Sequence, residues 1–427
     1  MAAKGNTKSL VLLFTANTIS GFSQGLSMLA IPWYFAKQNQ SSTFTFAYGI
    51  ITVIILFFGL YAGTLVDRFS RKANFLAINL ICGVALLAIA LTGYSQAYLN
   101  PFMVISVFAI TLLNYNIHYP TLYAFAHEIT LPEQYHKVNS WIEIVGQSSS
   151  IMSGALAAIL IDGVNPAAGK LAGFTLPFKI DIPKWEIWEI FMLDATTYFV
   201  AAALIYSIKY KPVKEKVVEL GSVFKRMKTG FVYLKQNPYL LWFGVFSYAV
   251  FAALLVCIHS LLPIYVEKHL HEDGSVFAAA DLIYAIGALS AGLFVGKVFG
   301  SNQTLRAIIL LTALAGCLFF WVFFTKSVWV VYVFCILLGF SNAGIRVLRL
   351  TYFFQHLPNE VMGRVNSIFN MSNVLTRSLF IFLFSISFFN TGNQVIWAFL
   401  VLSVYLFASA IVLLLTQNNK AKPISLE

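Results

Sequence analysis

Arg377 stands about twelve residues inside an apolar run, 365–389. On a helix rising 1.5 Å per residue this is roughly 18 Å from the start of the run, too deep for easy escape to an interface. Such a guanidinium must face protein or a water-filled cavity, and it needs a partner, either structural or a bound anion. Arg346 and Arg349 lie three residues apart, on one face of a helix. Two guanidiniums there could grip a carboxylate or phosphate, or they could snorkel to the nearer interface. His118, close to Asn114 and Asn116, offers an imidazole whose charge changes near neutral pH, suited to proton coupling or to a hydrogen-bonded packing role. Glu143, Asp194 and Asp281 are carboxylates inside apolar runs, each able to carry a coupling proton or to pair with an arginine. Gln24 and Asn114 could hydrogen-bond a substrate.

This is the chemistry of binding and proton movement. No Walker A loop supports ATP drive, and no Ser-His-Asp or metal-ligand cluster has a usable spacing. The chain is therefore expected to be no enzyme and to need no cofactor. Cys82, Cys257, Cys317 and Cys335 all sit in apolar runs without paired spacing, as small buried hydrophobes do.

The elements that must hold these groups are membrane helices. Of 427 residues, 59% are hydrophobic and 11% charged, where a soluble domain carries about 25% charged residues. Twelve segments reach the ~20 apolar residues that a span needs: 9–35, 43–66, 73–94, 101–127, 138–162, 188–208, 239–267, 275–297, 303–325, 327–355, 365–389 and 393–417. The net charge of +11 does not point to nucleic acid, because most Lys and Arg fall in loops on one side of these spans. That side is expected to be the cytoplasm, with both termini on it. The N-terminal run continues to about Phe35 without a small-x-small cleavage site and reads as an uncleaved first span.

Two connections are long. Residues 162–185 contain Gly163, Pro166 and Pro183 and read as an irregular outer loop, in which the alternation Lys179-Ile180-Asp181-Ile182 suggests a short strand. Residues 209–237 carry eight Lys and Arg, while Leu220, Phe224, Met227, Phe231 and Leu234 recur at helical spacing. An amphipathic helix is expected there, either lying on anionic membrane lipids or serving as a solvated linker. It divides the chain into an N-terminal six-helix half (1–208), a cytoplasmic linker (209–238) and a C-terminal six-helix half (239–427). The halves echo each other. Leu131-Pro132 through Lys137-Val-Asn139-Ser140 resembles Leu357-Pro358 through Arg364-Val-Asn366-Ser367, and Ala62-Gly63 through Asp67-Arg68 resembles Ala291-Gly292 through Gly296-Lys297. Parallel repeats of six spans build one class of secondary transporter.

The charged turn Gly63-Thr-Leu-Val-Asp67-Arg68-Phe-Ser-Arg71-Lys72 phases the whole chain. Its pattern, the two repeats and the basic linker together resemble the major facilitator superfamily. Lys225 to Asn237, Gly363-Arg364-Val-Asn-Ser367 and Phe191-Met-Leu-Asp194 further resemble its macrolide-efflux and enterobactin-export branch. The resemblance implies an all-α membrane protein of twelve transmembrane helices in two six-helix pseudo-repeats, with the first, fourth, seventh and tenth lining a central cavity. It implies that Gly63, Asp67, Arg68, Arg71 and Lys72, with Glu128 as a partner, form a conformational latch. It also implies a monomeric secondary transporter of a bacterial inner membrane, exporting a small amphiphile such as a siderophore or drug, coupled to protons or another ion. An importer of a similar solute and a lipid or lysolipid flippase of the same fold are the alternatives. Two positions depart from the pattern: Ser70 replaces Gly in the turn, and Ser153-Gly154 stands where antiporters of this family carry Gly-Pro in the fifth span.

Overall fold

The computed structural model describes residues 7–131, 134–163, 170–172, 174–175, 181–209, 223–299 and 303–418. In chain order the helices are α1 (Thr7–Lys37), α2 (Ser41–Arg68), α3 (Arg71–Gln96), α4 (Pro101–Glu128), α5 (Tyr135–Leu160) and α6 (Ile187–Tyr206). There follow α7 (Val223–Gln236), α8 (Pro238–Phe246), α9 (Ala249–Val256), the three-residue α10 (Leu262–Ile264) and α11 (Gly274–Phe299). The last are α12 (Thr304–Phe323), α13 (Val328–His356), α14 (Asn359–Phe384), the short α15 (Ser387–Asn390) and α16 (Ile396–Asn418).

Eleven stretches of described helix are long and apolar enough to cross a membrane, which makes this a multi-pass membrane protein. The expected first span corresponds to α1. α1 runs for 31 residues but falls outside the eleven, because its buried face carries Ser9, Asn17, Ser20, Ser23, Gln24 and Ser27. The expected seventh span is also not one regular helix. It breaks after Phe246, then winds through π-turns at Cys257–Leu261 and Tyr265–Leu270 on either side of α10. Pro263 has no N–H to return to the carbonyl of His259 one turn back, which favours the wider winding there. Of the strand expected at 179–182, the described part holds an isolated bridge at Ile182. A separate pairing is antiparallel, Lys170–Leu171 with Phe174–Thr175; Asp181 is irregular, and Lys179 and Ile180 lie outside the described residues.

Two compact units can be distinguished, one of Met1–Gln40, Ile50–Glu219 and Glu272–Leu282, the other of Ser41–Gly49, Leu220–His271 and Ile283–Glu427. In the first, α1 packs on α5 and α6, and α3 packs on α4 and α6. Ser153 is part of the reason α1 and α5 approach so closely: its hydroxyl contacts the carbonyls of Phe22 (2.6 Å) and Ser149 (2.7 Å). A Cβ on Gly25 would meet the Ser153 Cβ at 2.8 Å, so only glycine fits there. The departure at Ser153-Gly154 is thus a helix-packing device. An apolar cluster of Leu13, Phe75, Leu122, Phe125 and Ile205 fills one end of this unit.

In the second unit, α12 packs on α13 and α16, and α14 on α7 and α9. Gly287 of α11 lies against the Ile336 carbonyl and Gly339 of α13 against the Tyr284 carbonyl, a reciprocal small-residue crossing that leaves no room for side chains. α7 meets α14 through Gly230, whose Cβ position is 3.1 Å from the Arg364 backbone, and Leu234 beside it is buried. Phe231 is 57% exposed, so the packed stripe of α7 is narrower than its apolar residues suggest. Leu220 and the side chains of Phe224 and Met227 lie outside the described residues.

Candidate functional site

A band of buried polar groups crosses the first unit. Asp194 on α6 is fully buried, and its Oδ2 accepts a 2.7 Å hydrogen bond from the Ser27 hydroxyl on α1. Its other oxygen has no hydrogen-bond partner among the described residues. Asn114 on α4 donates from Nδ2 to the Tyr198 hydroxyl on α6 at 3.1 Å, and its Oδ1 is likewise unmet. Tyr115 lies within electrostatic reach of both Asp194 and Asp281, so the start of α11 contributes its carboxyl to the same band. One turn along α4 from Asn114, His118 Nε2 is 2.8 Å from Asn17 Oδ1, with the ring edge-on to Phe75 at 5.1 Å. Gln24 is 1% exposed and donates to the Ser20 hydroxyl at 3.3 Å. Asn114, Asp194 and Asp281 therefore belong to one neighbourhood; His118 and Gln24 have local partners of their own. Glu143 lies on α5, and its side chain is outside the described residues.

The charged turn is built by capping. Ser70 has φ −60° and its hydroxyl accepts from the Ala73 N–H at 3.3 Å, so the residue that replaces glycine caps α3. Arg71 Nε pairs with Glu128 Oε1 across 3.5 Å, joining α3 to the end of α4. Lys72 Nζ donates to the carbonyls of Tyr206 and Ile208, both at 2.7 Å, and sits over the Tyr206 ring. Carbonyls at a helix C-terminus favour a cation, so Lys72 closes the end of α6. Gly63, Asp67 and Arg68 lie in α2, with side chains outside the described residues.

The three arginines of the second unit separate. Arg349 is 6% exposed, donates from Nη1 to the Ser247 carbonyl at 2.8 Å, and stacks 3.4 Å from the centre of the Tyr248 ring. It fills the break between α8 and α9. Arg346, one turn earlier on α13, is exposed. Arg377 on α14 is half-buried, its Nε is buried without a hydrogen-bond acceptor, and no ion pair joins it to a carboxylate among the described residues. It lies within electrostatic reach of Tyr48 and of His259, whose rings meet edge to face at 5.9 Å.

Sequence reasoning missed Tyr48, His259 and Asn373. The signals were present: His259 precedes Pro263 by one turn, and Asn373 precedes Arg377 by four residues. Among the described residues no group of three or more His, Cys, Asp or Glu could hold a metal ion.

Known proteins agree with this geometry. The Major Facilitator Superfamily profile matches residues 13–381. Macrolide efflux protein A of Streptococcus pyogenes is 22% identical over 373 residues, covering 83% of each chain. The enterobactin exporter EntS of Shigella flexneri is 24% identical over 364 residues, 85% of this chain and 80% of that one. Among solved structures, the nucleoside transporter NupG superposes with a TM-score of 0.68 at 12% identity, over 97% of this chain and 100% of that chain. A bacterial homologue of the iron transporter ferroportin in its inward-facing state reaches 0.67 at 14% identity, over 97% and 99%. A predominantly helical membrane chain with buried charges, matched by this profile over most of its length, belongs to the Major Facilitator Superfamily and is a transporter of small molecules rather than an enzyme.

Proposed function

We propose that this transporter exports a small amphiphilic or anionic compound, a siderophore or a drug-like molecule, by alternating access driven by an ion gradient. One observation carries the direction: relatives that align over more than four-fifths of the chain are an efflux protein and an exporter. The proposed architecture is twelve spans in two six-helix repeats, 1–208 and 239–427, joined by a linker at 209–238. Both termini face the cytoplasm of a bacterial inner membrane, and the working unit is a monomer. Alternating access then means that the two repeats rock about a site near the midplane, with the gradient biasing the populations.

Protons are the coupling ion that the polar band favours. Asp194 and Asp281 are the carriers in this reading, Glu143 and His118 secondary sites, and Gln24 and Asn114 substrate contacts. The turn from Gly63 to Lys72, with Glu128, latches the cytoplasmic side; the Arg71–Glu128 pair is the part of it that the described side chains support.

The test compares culture supernatants and cell extracts by untargeted mass spectrometry. Strains would carry the protein, its Asp67→Asn variant, or neither. A metabolite enriched outside only with the active protein identifies the substrate. Depletion from the medium would reverse the direction and make the protein an importer. Unchanged solutes, with phospholipid moved between leaflets in proteoliposomes, would make it a flippase.

A further inference from the structure

We propose that Asn373 and Arg377, together with the rings of Tyr48 and His259, form a subsite for an organic monoanion that carries a hydroxyl group on an aromatic or otherwise flat apolar body. The proposal rests on the transport reading and names the class of substrate that the site takes.

α14 places the two polar groups. Residues four apart share a helix face and are separated by about 6 Å of rise. Leu375 and Leu379, on the opposite face, are 50% and 67% exposed and look to lipid. Asn373 and Arg377 therefore point into the protein. Asn373 is only 4% exposed, yet its Oδ1 meets no donor among the described residues. Arg377 Nε meets no acceptor. Inside a membrane an unmet acceptor and an unmet charged donor on the same helix face are both costly. They call for a ligand that accepts at one end and donates at the other.

The remaining walls fit such a ligand. Tyr48 is 1% exposed and stands edge to face with His259. The Thr45 and Ser260 hydroxyls lie 2.8 Å apart, one in the turn before Tyr48 and the other next to His259, and so tie the start of α2 to the π-turn. That turn, set by Pro263, re-aims His259 out of regular helical register. Two rings within electrostatic reach of one guanidinium suit a flat body with a single negative charge. A neutral amphiphile would leave Arg377 uncompensated, and an anion without a hydroxyl would leave the Asn373 oxygen unmet.

The test uses the full-length protein in nanodiscs and three fluorescent probes: 6-hydroxy-2-naphthoate, 2-naphthoate and 2-naphthol. The wild type is expected to bind 6-hydroxy-2-naphthoate at least tenfold more tightly than 2-naphthol and several-fold more tightly than 2-naphthoate. Arg377→Gln should abolish the preference for the carboxylate. Asn373→Leu should abolish only the preference for the hydroxyl. Arg377→Lys, which keeps the charge without the planar fork, should fall between wild type and Arg377→Gln, and it decides the matter if the glutamine variant does not fold. Equal affinity for the three probes, or preferences that survive in every variant, would overturn the subsite. The export reading fails on a different result, the absence of any compound enriched in the supernatant, whatever the order of probe affinities.

Discussion

The carboxylate of Asp162, just past the end of α5, accepts the backbone N–H of Gly274, the first residue of α11, at 2.5 Å. The same oxygen accepts from Trp33 Nε1 at 3.1 Å, Lys37 Nζ is 3.9 Å from the other oxygen, and Trp33 stacks on Phe277. A carboxylate at a helix N-terminus satisfies free N–H groups and the helix dipole together. A Cβ on residue 274 would lie 2.5 Å from Trp33 Nε1, which is why glycine stands there. Asp162 thus clasps the start of α11 to α1 and α5. Removing it leaves two donors unmet, at about 1–3 kcal/mol each. In a background without the native cysteines, Asp162→Ala should raise the rate of maleimide labelling at Ala280→Cys at least tenfold, and Asp162→Asn, which keeps an oxygen acceptor, should raise it less. An unchanged rate in the alanine variant would mean that the clasp holds nothing.

Asp194 and Ser27 make the second test. If Asp194 carries the coupling proton, Asp194→Asn should bind substrate in nanodiscs while transport in proteoliposomes no longer responds to an imposed pH gradient. Ser27→Ala removes one hydrogen bond and should leave that response in place. A gradient response retained by the asparagine variant would move the coupling role to Asp281 or elsewhere.

Arg71 and Glu128 are partly exposed, with side-chain accessibilities of 18% and 22%. Such a pair contributes about 1 kcal/mol or less to stability. Glu128→Lys should therefore slow transport while shifting the melting temperature little. Restoring the pair with reversed charges, Arg71→Glu with Glu128→Lys, should recover part of the transport rate. A double variant no better than the worse single one would argue that the pair does not act as a unit.

Arg349 behaves differently from Arg346. A buried hydrogen bond from a guanidinium and a desolvated contact with an aromatic face are each of order 2 kcal/mol. Arg349→Met should lower thermal stability in detergent by several degrees and reduce the yield of folded protein. Arg346→Gln should leave both near wild type. Equal effects would contradict the division of roles seen between these neighbours on α13.

Much of this was legible before any coordinates. Apolar runs locate the spans because a bilayer enforces their length, and buried charges stand out for the same reason. Ser70 was visible as a departure, though its capping role appears only once the Ala73 N–H is seen beneath its hydroxyl. The contacts hidden from the sequence are those between distant segments. Asp162 and Gly274 are 112 residues apart, and no local pattern marks a carboxylate as the cap of a helix so far along the chain. The π-turns around Pro263 were missed because a proline in an apolar run reads as a kink, without showing which side chain it turns. The three arginines were legible as charges in apolar runs, but their alternatives separate only in the structure, where Arg349 is buried and fixed to Ser247 while Arg377 is half-buried.

The polar face of α1 has a consequence for how the chain is made. Ser27 meets Asp194 only after 167 more residues have been synthesised, and Asn17 waits 101 residues for His118. At about 5–20 residues per second, the first interval is roughly 10–30 s. Throughout that time Ser27, on a helix outside the eleven apolar spans, must wait in or beside the bilayer without its carboxylate partner. α1 therefore depends on its surroundings during biogenesis, either on α2 entering with it as a hairpin or on an insertase that shelters its polar stripe.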